Sequence, residues 1–380
     1  MERSLMEVLL ELPDIRQAKG KRHELAQVII LVVIALVCGQ NSLRQIANWG
    51  QQLNSQGRRR LGNRHGKVAS YSTIRRVLLG LEAVTLAAAL QSWVEEVLAT
   101  YPARAELVGL AIDGKTLRGS SDTQAQIPAL QVLNALIEPL AVVLNSQAVP
   151  AQTNELGAMP DFLDQLRLIG RVVTTDALHA QRDQAQTILD KAGHYLMRIK
   201  DNQARTLATL QAWFQAEPTP MMPRTRDVFA EKGHGRLVRY TLQTTTALNT
   251  YLQQDLTWPK VGQTLCIERR AICLKTGQVS TSYHYALTDL SPAQADPPTL
   301  FHLWHHHWHI ENKLHWVRDV NFAEDRSQTR TGSLPLILSL LRNIVISLLR
   351  LNGYDRIADA RTYFSLNVQL ACSFVGIPLE

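Results

Sequence analysis

Cysteine is scarce: Cys38, Cys266, Cys273 and Cys372 are the four in 380 residues, with no CxxC pair and no zinc-finger spacing. That excludes a disulfide-stapled scaffold and a cysteine-held structural metal, and it fits a reducing, cytoplasmic setting. Charge is sparse as well, at 19% against 46% apolar residues, which excludes a disordered chain and describes a core-forming one. No apolar run reaches the ~20 residues that a membrane-spanning helix needs. The most apolar run, VIILVVIALVC from Val28 to Cys38, reads as a buried helix. A secretory leader is not evident, because the opening MERSLMEVLLELPD carries acids and a proline where an apolar core belongs. No internal repeat or low-complexity tract is seen.

What is present leans towards a polyanionic partner: a net charge of +7 and a pI near 9.3. The length implies two or three modules. Residues 1–100 read as an all-helical domain, with Ser42 as an N-cap for SLRQIANWGQQL. A basic linker, GRRRLGNRHGK (57–67), leads to SYSTIRRVLLGL (70–81). Two helices joined by a basic turn resemble a helix-turn-helix reader, with Arg58, Arg59, Arg60, Arg75 and Arg76 as candidate DNA contacts.

From residue 107 the texture changes. The apolar run LVGLAI ends in Asp113 and is followed by Gly114, Lys115 and Arg118, the pattern of a buried strand with an acid at its tip. Strands are expected over 129–136 and 140–149, a helix over 155–168, and a strand over 170–176 (GRVVTTD) ending in Asp176. A helix over 181–192 and a strand over 194–200 complete the series. This order implies an α/β fold, a mixed sheet flanked by helices. Residues 215–290 read as a β-rich insertion with strands over 236–246, 264–274 and 279–287. Helical sequence resumes from Pro298 to Val320, and helices over 334–351 and 354–365 close the chain.

On a continuous helix from 298 to 320, Leu303, Ile310, Leu314 and Val317 form one apolar stripe. Trp304, His307, Glu311, His315 and Arg318 then lie on its flank, which places Glu311 beside the buried face. Asp113, Asp176 and Glu311 together would make a three-carboxylate cluster. Such hard oxygen donors suit two Mg²⁺ or Mn²⁺ ions that activate an oxygen nucleophile and stabilise a leaving 3′-oxygen on a phosphodiester. Glu324 and Asp325, ahead of Arg326 in an expected loop, form a rival acidic pair. His305 and His309 stand at a spacing that zinc could use, but without a third ligand at recognisable spacing.

Several motifs run in one order through the chain: IDGKTLRGS (112–120), QTNEL (152–156), VVTTDALHAQ (172–181), YLMRIKDNQ (195–203), EKGHGR (231–236) and HWHIENKLHWVRDVNFAED (307–325). Together they resemble the H-repeat-associated transposases, a bacterial insertion-sequence family of the DDE, RNase H-like superfamily. The resemblance implies an RNase H-like catalytic domain over 101–380 with Asp113, Asp176 and Glu311 as catalytic and metal-binding residues. It also implies metal-dependent cutting of element ends and joining of 3′-hydroxyls to target DNA by a homodimer or larger assembly. The loop with Lys115 and Arg118 and the segment with Lys200, Asn202 and Gln203 would approach DNA. His179, His307, His315, Arg318 and Arg326 are further candidate contacts. Trp304, His307 and Arg318 stand where the wider superfamily often has Tyr, Arg and a basic residue. Two alternatives remain open from sequence: an endonuclease without strand transfer, and an idle DNA-binding relic.

Overall fold

The computed structural model describes residues 3–16, 21–100, 107–219 and 222–377. The strands are β1 (Val108–Leu117), β2 (Leu130–Ile137), β3 (Val142–Ala148), β4 (Arg171–Thr175), β5 (His194–Ile199), β6 (Thr225–Gly233), β7 (Arg236–Thr245), β8 (Gln263–Cys273) and β9 (Val279–Thr288). They form one sheet in the order β3-β2-β1-β4-β5-β9-β8-β7-β6. β1, β4 and β5 run parallel, while β2 with β3 and the series from β5 through β9 to β6 pair antiparallel. The fold is therefore α/β with a mixed sheet and flanking helices, as expected of an RNase H-like chain. The parallel strands carry apolar runs, Leu110–Ile112 and Val172–Val173, that are wholly buried, as strands covered on both faces must be.

By contacts the chain divides into two compact units. The first comprises Met1–Arg104, Gly114–Glu155 and His309–Glu380. Its N-terminal stretch is helical, and the run expected to be a buried helix is one: Leu25–Val37, apolar on all sides, is buried from end to end. Ser42 caps the helix Leu43–Gln52 with a full capping box to Gln45. The basic stretch expected as a linker is partly helical instead, over Ser55–Leu61, because Asn54 caps it by accepting from the Gly57 amide. Leu334–Leu351 is long and apolar enough to cross a membrane, but 89% of it is buried within the protein. It packs against β3 and the helix Leu25–Val37.

The second unit comprises Ala105–Asp113 and Leu156–Trp308. Its core gathers Val172, Leu196, Tyr240, Leu242, Leu265, Ile267, Phe301 and Trp304 from the sheet and the helix Pro297–His306. The stretch expected to interrupt the sheet extends it, since β9 pairs directly with β5. Strand β6 and the helix Ala204–Gln215 lie outside the expected elements.

The helix expected to run unbroken from 298 to 320 is broken into three pieces. Asp296 caps Pro297–His306, a π-helical turn covers Ile310–His315, and Trp316–Asn321 resumes the α-helix. The i→i+5 bonding of a π-turn inserts an extra residue per turn and slips the register. Ile310, Leu314 and Val317 stay buried, but Glu311 is turned to solvent rather than held beside the buried face.

Candidate active site

In the second unit the two aspartates are placed by strand register. Ile112 on β1 pairs with Thr175 on β4, the last residues of the parallel ladder. Asp113 and Asp176 each follow by one residue, so both sit just past the parallel pairing of strands that lie about 4.8 Å apart. β4 ends there, but β1 runs on to Leu117, so Asp113 stands within its strand and not at the expected tip. Each is partly exposed.

The loop after Asp176 is strapped from beneath. The His179 amide donates to Asp176 Oδ1 at 3.3 Å. Asn202 Nδ2 donates to the Ala177 carbonyl at 2.6 Å, and Gln203 Nε2 to the Ala180 carbonyl at 2.9 Å. Arg182 Nη1 closes the brace by donating to Gln203 Oε1 at 2.7 Å. The KDNQ segment was expected to approach DNA. Lys200 is exposed, but Gln203 is buried and Asn202 is spent on the loop, so these two hold the acid-bearing loop in place.

Two histidines expected at DNA are interior. His179 is wholly buried. His307 is buried with Nδ1 3.1 Å from Thr174 Oγ1, and burial, with Arg198 and His179 nearby, pushes its pKa down to about 3. It is a neutral core residue because an imidazolium there would be desolvated beside another cation. Trp304 is likewise a core residue, and the Arg198 guanidinium lies 5.2 Å from its ring and 5.1 Å from that of Trp308. His305 lies 3.4 Å from Glu231 rather than completing a zinc pair.

In the first unit, Glu324 is not a loop acid. It lies in a 3₁₀ turn, Glu324–Arg326, with its side chain 2% exposed. Arg318 Nε donates to Glu324 Oε2 at 2.6 Å and Arg342 Nη1 to Oε1 at 2.9 Å. Burial pushes the Glu324 pKa up, but the two guanidinium groups outweigh it and hold the carboxyl below its ordinary value. Arg318 also donates to Asn134 Oδ1 and Ser339 Oγ, and is wholly buried. Its expected place against DNA is thus corrected: it neutralises an interior acid. Lys115 is also buried, with Nζ 2.7 Å from Asp319 Oδ2, whereas Arg118 and Arg326 are exposed. His315 is half-buried with Nε2 3.4 Å from Asn134 Nδ2. His309 pairs with buried Glu138 at 2.7 Å.

Among the basic N-terminal candidates, Arg59 and Arg76 are exposed and Arg75 donates to Thr331 Oγ1 at 3.1 Å. Arg58 folds back onto the carbonyls of Leu53 and Gln51.

One contact was not foreseen. A Cβ on Gly114 would stand 2.2 Å from Glu155 Oε1, so a side chain after Asp113 would have to push the half-exposed Glu155 carboxylate aside. The QTNEL motif was the available signal for Glu155, but the spacing could not say what it touched.

Comparisons with known proteins give the family. The family model described as the transposase DDE domain matches residues 104–348, and the one described as DDE_Tnp_1-associated matches 6–94. YncI of Escherichia coli O157:H7 is 27% identical over 91% of this chain and 87% of its own. The H repeat-associated YhhI of E. coli K12 is 26% identical over 91% of this chain and 90% of its own. Both relatives are named, provisionally, as transposases. The piggyBac transposase, solved as a synaptic complex with hairpin DNA, aligns over 97% of this chain and 76% of its own at 11% identity, with a TM-score of 0.41. The chain belongs to the DDE transposase family.

Proposed function

We propose that the protein cuts the ends of its own insertion sequence and joins the freed 3′-hydroxyl ends to target DNA. It would do so in the cytoplasm as a homodimer or larger assembly on double-stranded DNA. The observation that carries this reading is the register-matched placement of Asp113 and Asp176, each one residue past the parallel pairing of β1 with β4. DDE domains use divalent metal in general; here Asp113, Asp176 and Glu311 would hold Mg²⁺ or Mn²⁺, two ions together, and their oxygen-only donor set fits such hard cations. When bound, the metal supplies Lewis-acid stabilisation of the charge on phosphodiester oxygens.

The chain's own residues do the rest. Asn202 and Gln203 fix the Asp176 loop, so the carboxylate is presented without reorganisation. Exposed Arg118, Lys200 and Arg326 are the cations open to strand phosphates. In the first step a water oxygen bonds to phosphorus and the P–O3′ bond breaks. In the second, the freed 3′-oxygen bonds to a target phosphorus and another P–O3′ bond breaks. Glu311 is preferred over Glu324 as the third acid because both Glu324 oxygens are held by buried arginines.

Labelled duplexes carrying the element ends, incubated with the protein and Mg²⁺ or Mn²⁺, test the proposal. Wild type should give cut and joined products, and Asp176→Asn and Glu311→Gln should give neither. Cutting without joining would make it an endonuclease. Binding without cutting by wild type would make it a DNA-binding relic. Full activity of Glu311→Gln would remove that residue from the site.

A further inference from the structure

Between Glu24 and Glu82 the chain contains no aspartate or glutamate, while Arg58, Arg59, Arg60, Arg64 and Lys67 fall in one ten-residue stretch. Arg59, Arg64 and Lys67 are exposed, and Arg58 is tied to backbone carbonyls. Arg60 differs from all of them. It is half-buried, and its Nε and Nη1 are buried and donate to nothing among the described residues. A desolvated guanidinium nitrogen without an acceptor is costly, and native proteins rarely leave one so.

Arg60 lines a cleft of about 290 Å³ in the first unit, walled by Trp49, Leu53, Asn54, Gln56 and Cys372. No acid lines it. Its other ionisable group, the Cys372 thiol, is pushed up by burial and stays neutral. Two of the lining amide oxygens already accept a bond: Asn54 Oδ1 from the Gly57 amide and Gln56 Oε1 from Gln369 Nε2 at 2.6 Å. The amide nitrogens of Asn54 and Gln56 are left to donate. A cleft with a buried cation, surplus donors and no acid to neutralise the cation is built for an anionic group rich in acceptor oxygens.

We infer that this cleft grips a phosphate of a nucleic-acid strand, with Arg60 as the anchoring cation, the Asn54 and Gln56 amides as supporting donors, and Trp49 as the wall against the attached sugar. A strand is favoured over a free phosphate because the three exposed cations outside the cleft exceed what one phosphate neutralises. The inference rests on the reading that the chain binds DNA, but it requires binding only and not cleavage.

The test is fluorescence anisotropy of a labelled duplex with the full-length chain over a series of salt concentrations, comparing wild type, Arg60→Gln, Arg60→Lys and Arg59→Gln. Arg60→Gln should weaken binding about tenfold and lower the slope of log K against log salt by about one. Arg60→Lys should keep the slope, which a purely structural arginine would not require, and exposed Arg59→Gln should weaken binding less than Arg60→Gln. An unchanged slope in a folded Arg60→Gln protein would overturn the inference. Inorganic phosphate that alters Trp49 fluorescence, judged against Trp49→Phe, while Arg60→Gln leaves duplex affinity intact, would assign the cleft to a free anion and overturn the strand assignment. Failure of wild type to cut the duplex while these binding differences persist would count against the proposed reaction alone.

Discussion

Replacing Glu324 by alanine separates a structural acid from a reacting one. Arg318 and Arg342, with side chains 0% and 2% exposed, both lose their anion in this variant and stay buried as cations. Breaking a buried pair from one side costs about 3–5 kcal/mol, chiefly because the charge left behind has no water to solvate it. For a chain of 380 residues, at ~2.1 cal/mol/K per residue, the unfolding entropy is about 0.8 kcal/mol/K, so a loss of about 4 kcal/mol lowers Tm by about 5 °C. Glu324→Gln, which keeps one acceptor, should lose less. Calorimetry of both variants beside Glu311→Ala, with cleavage measured on the same preparations below their midpoints, provides the comparison. Glu311 is exposed in a π-turn, so its alanine variant should melt within about 1 °C of wild type and lose cleavage. A Glu324→Ala protein with wild-type Tm and abolished cleavage would refute the reasoning and make Glu324 the third ligand.

Other consequences can be measured on the same material. His307 has its pKa lowered from 6.5 to about 3, so the folded state resists a proton that the unfolded state accepts. Its stabilising contribution is therefore full above pH 6.5 and falls by about 1.4 kcal/mol per pH unit as pH drops from there towards 3. His307→Phe should flatten that limb of the Tm–pH curve, and an unchanged limb would show that His307 is accessible to solvent protons. Gly114→Ala places a methyl against the Glu155 carboxylate, which can swing aside, and should cost no more than about 1 kcal/mol. Adding Glu155→Ala should recover the stability; a double variant no more stable than the single one would mean the clash lies elsewhere. Asn202→Ala should leave DNA affinity nearly intact while reducing cleavage, because the side chain braces the Asp176 loop rather than touching DNA. An equal loss in binding would restore its place at the interface.

Much of this molecule was written locally. Buried strands running into Asp113 and Asp176 are legible because an apolar run closed by an acid has few other uses, but the continuation of β1 past Asp113 to Leu117 is not. Ser42 as a helix cap and Leu25–Val37 as a buried helix followed from local hydrogen bonding and solvation, with no reference to distant residues. What distant partners decide stayed hidden. Period alone cannot reveal an inserted π-turn or decide which way a flank residue faces: the expected stripe is buried, but Glu311 beside it is exposed. Charge type could not separate Arg318, which neutralises Glu324, from Arg326, which faces solvent, since both stand among acids in one short stretch. Asn202 and Gln203 are placed at DNA by the family resemblance, and an amide looks alike whether it meets a phosphate or a carbonyl; only the approach of the Asp176 loop assigns them. The residue alphabet thus determined which groups can carry phosphoryl chemistry. Burial and long-range pairing decided which of them are free to do it, because a charge taken out of water must spend itself on the nearest partner.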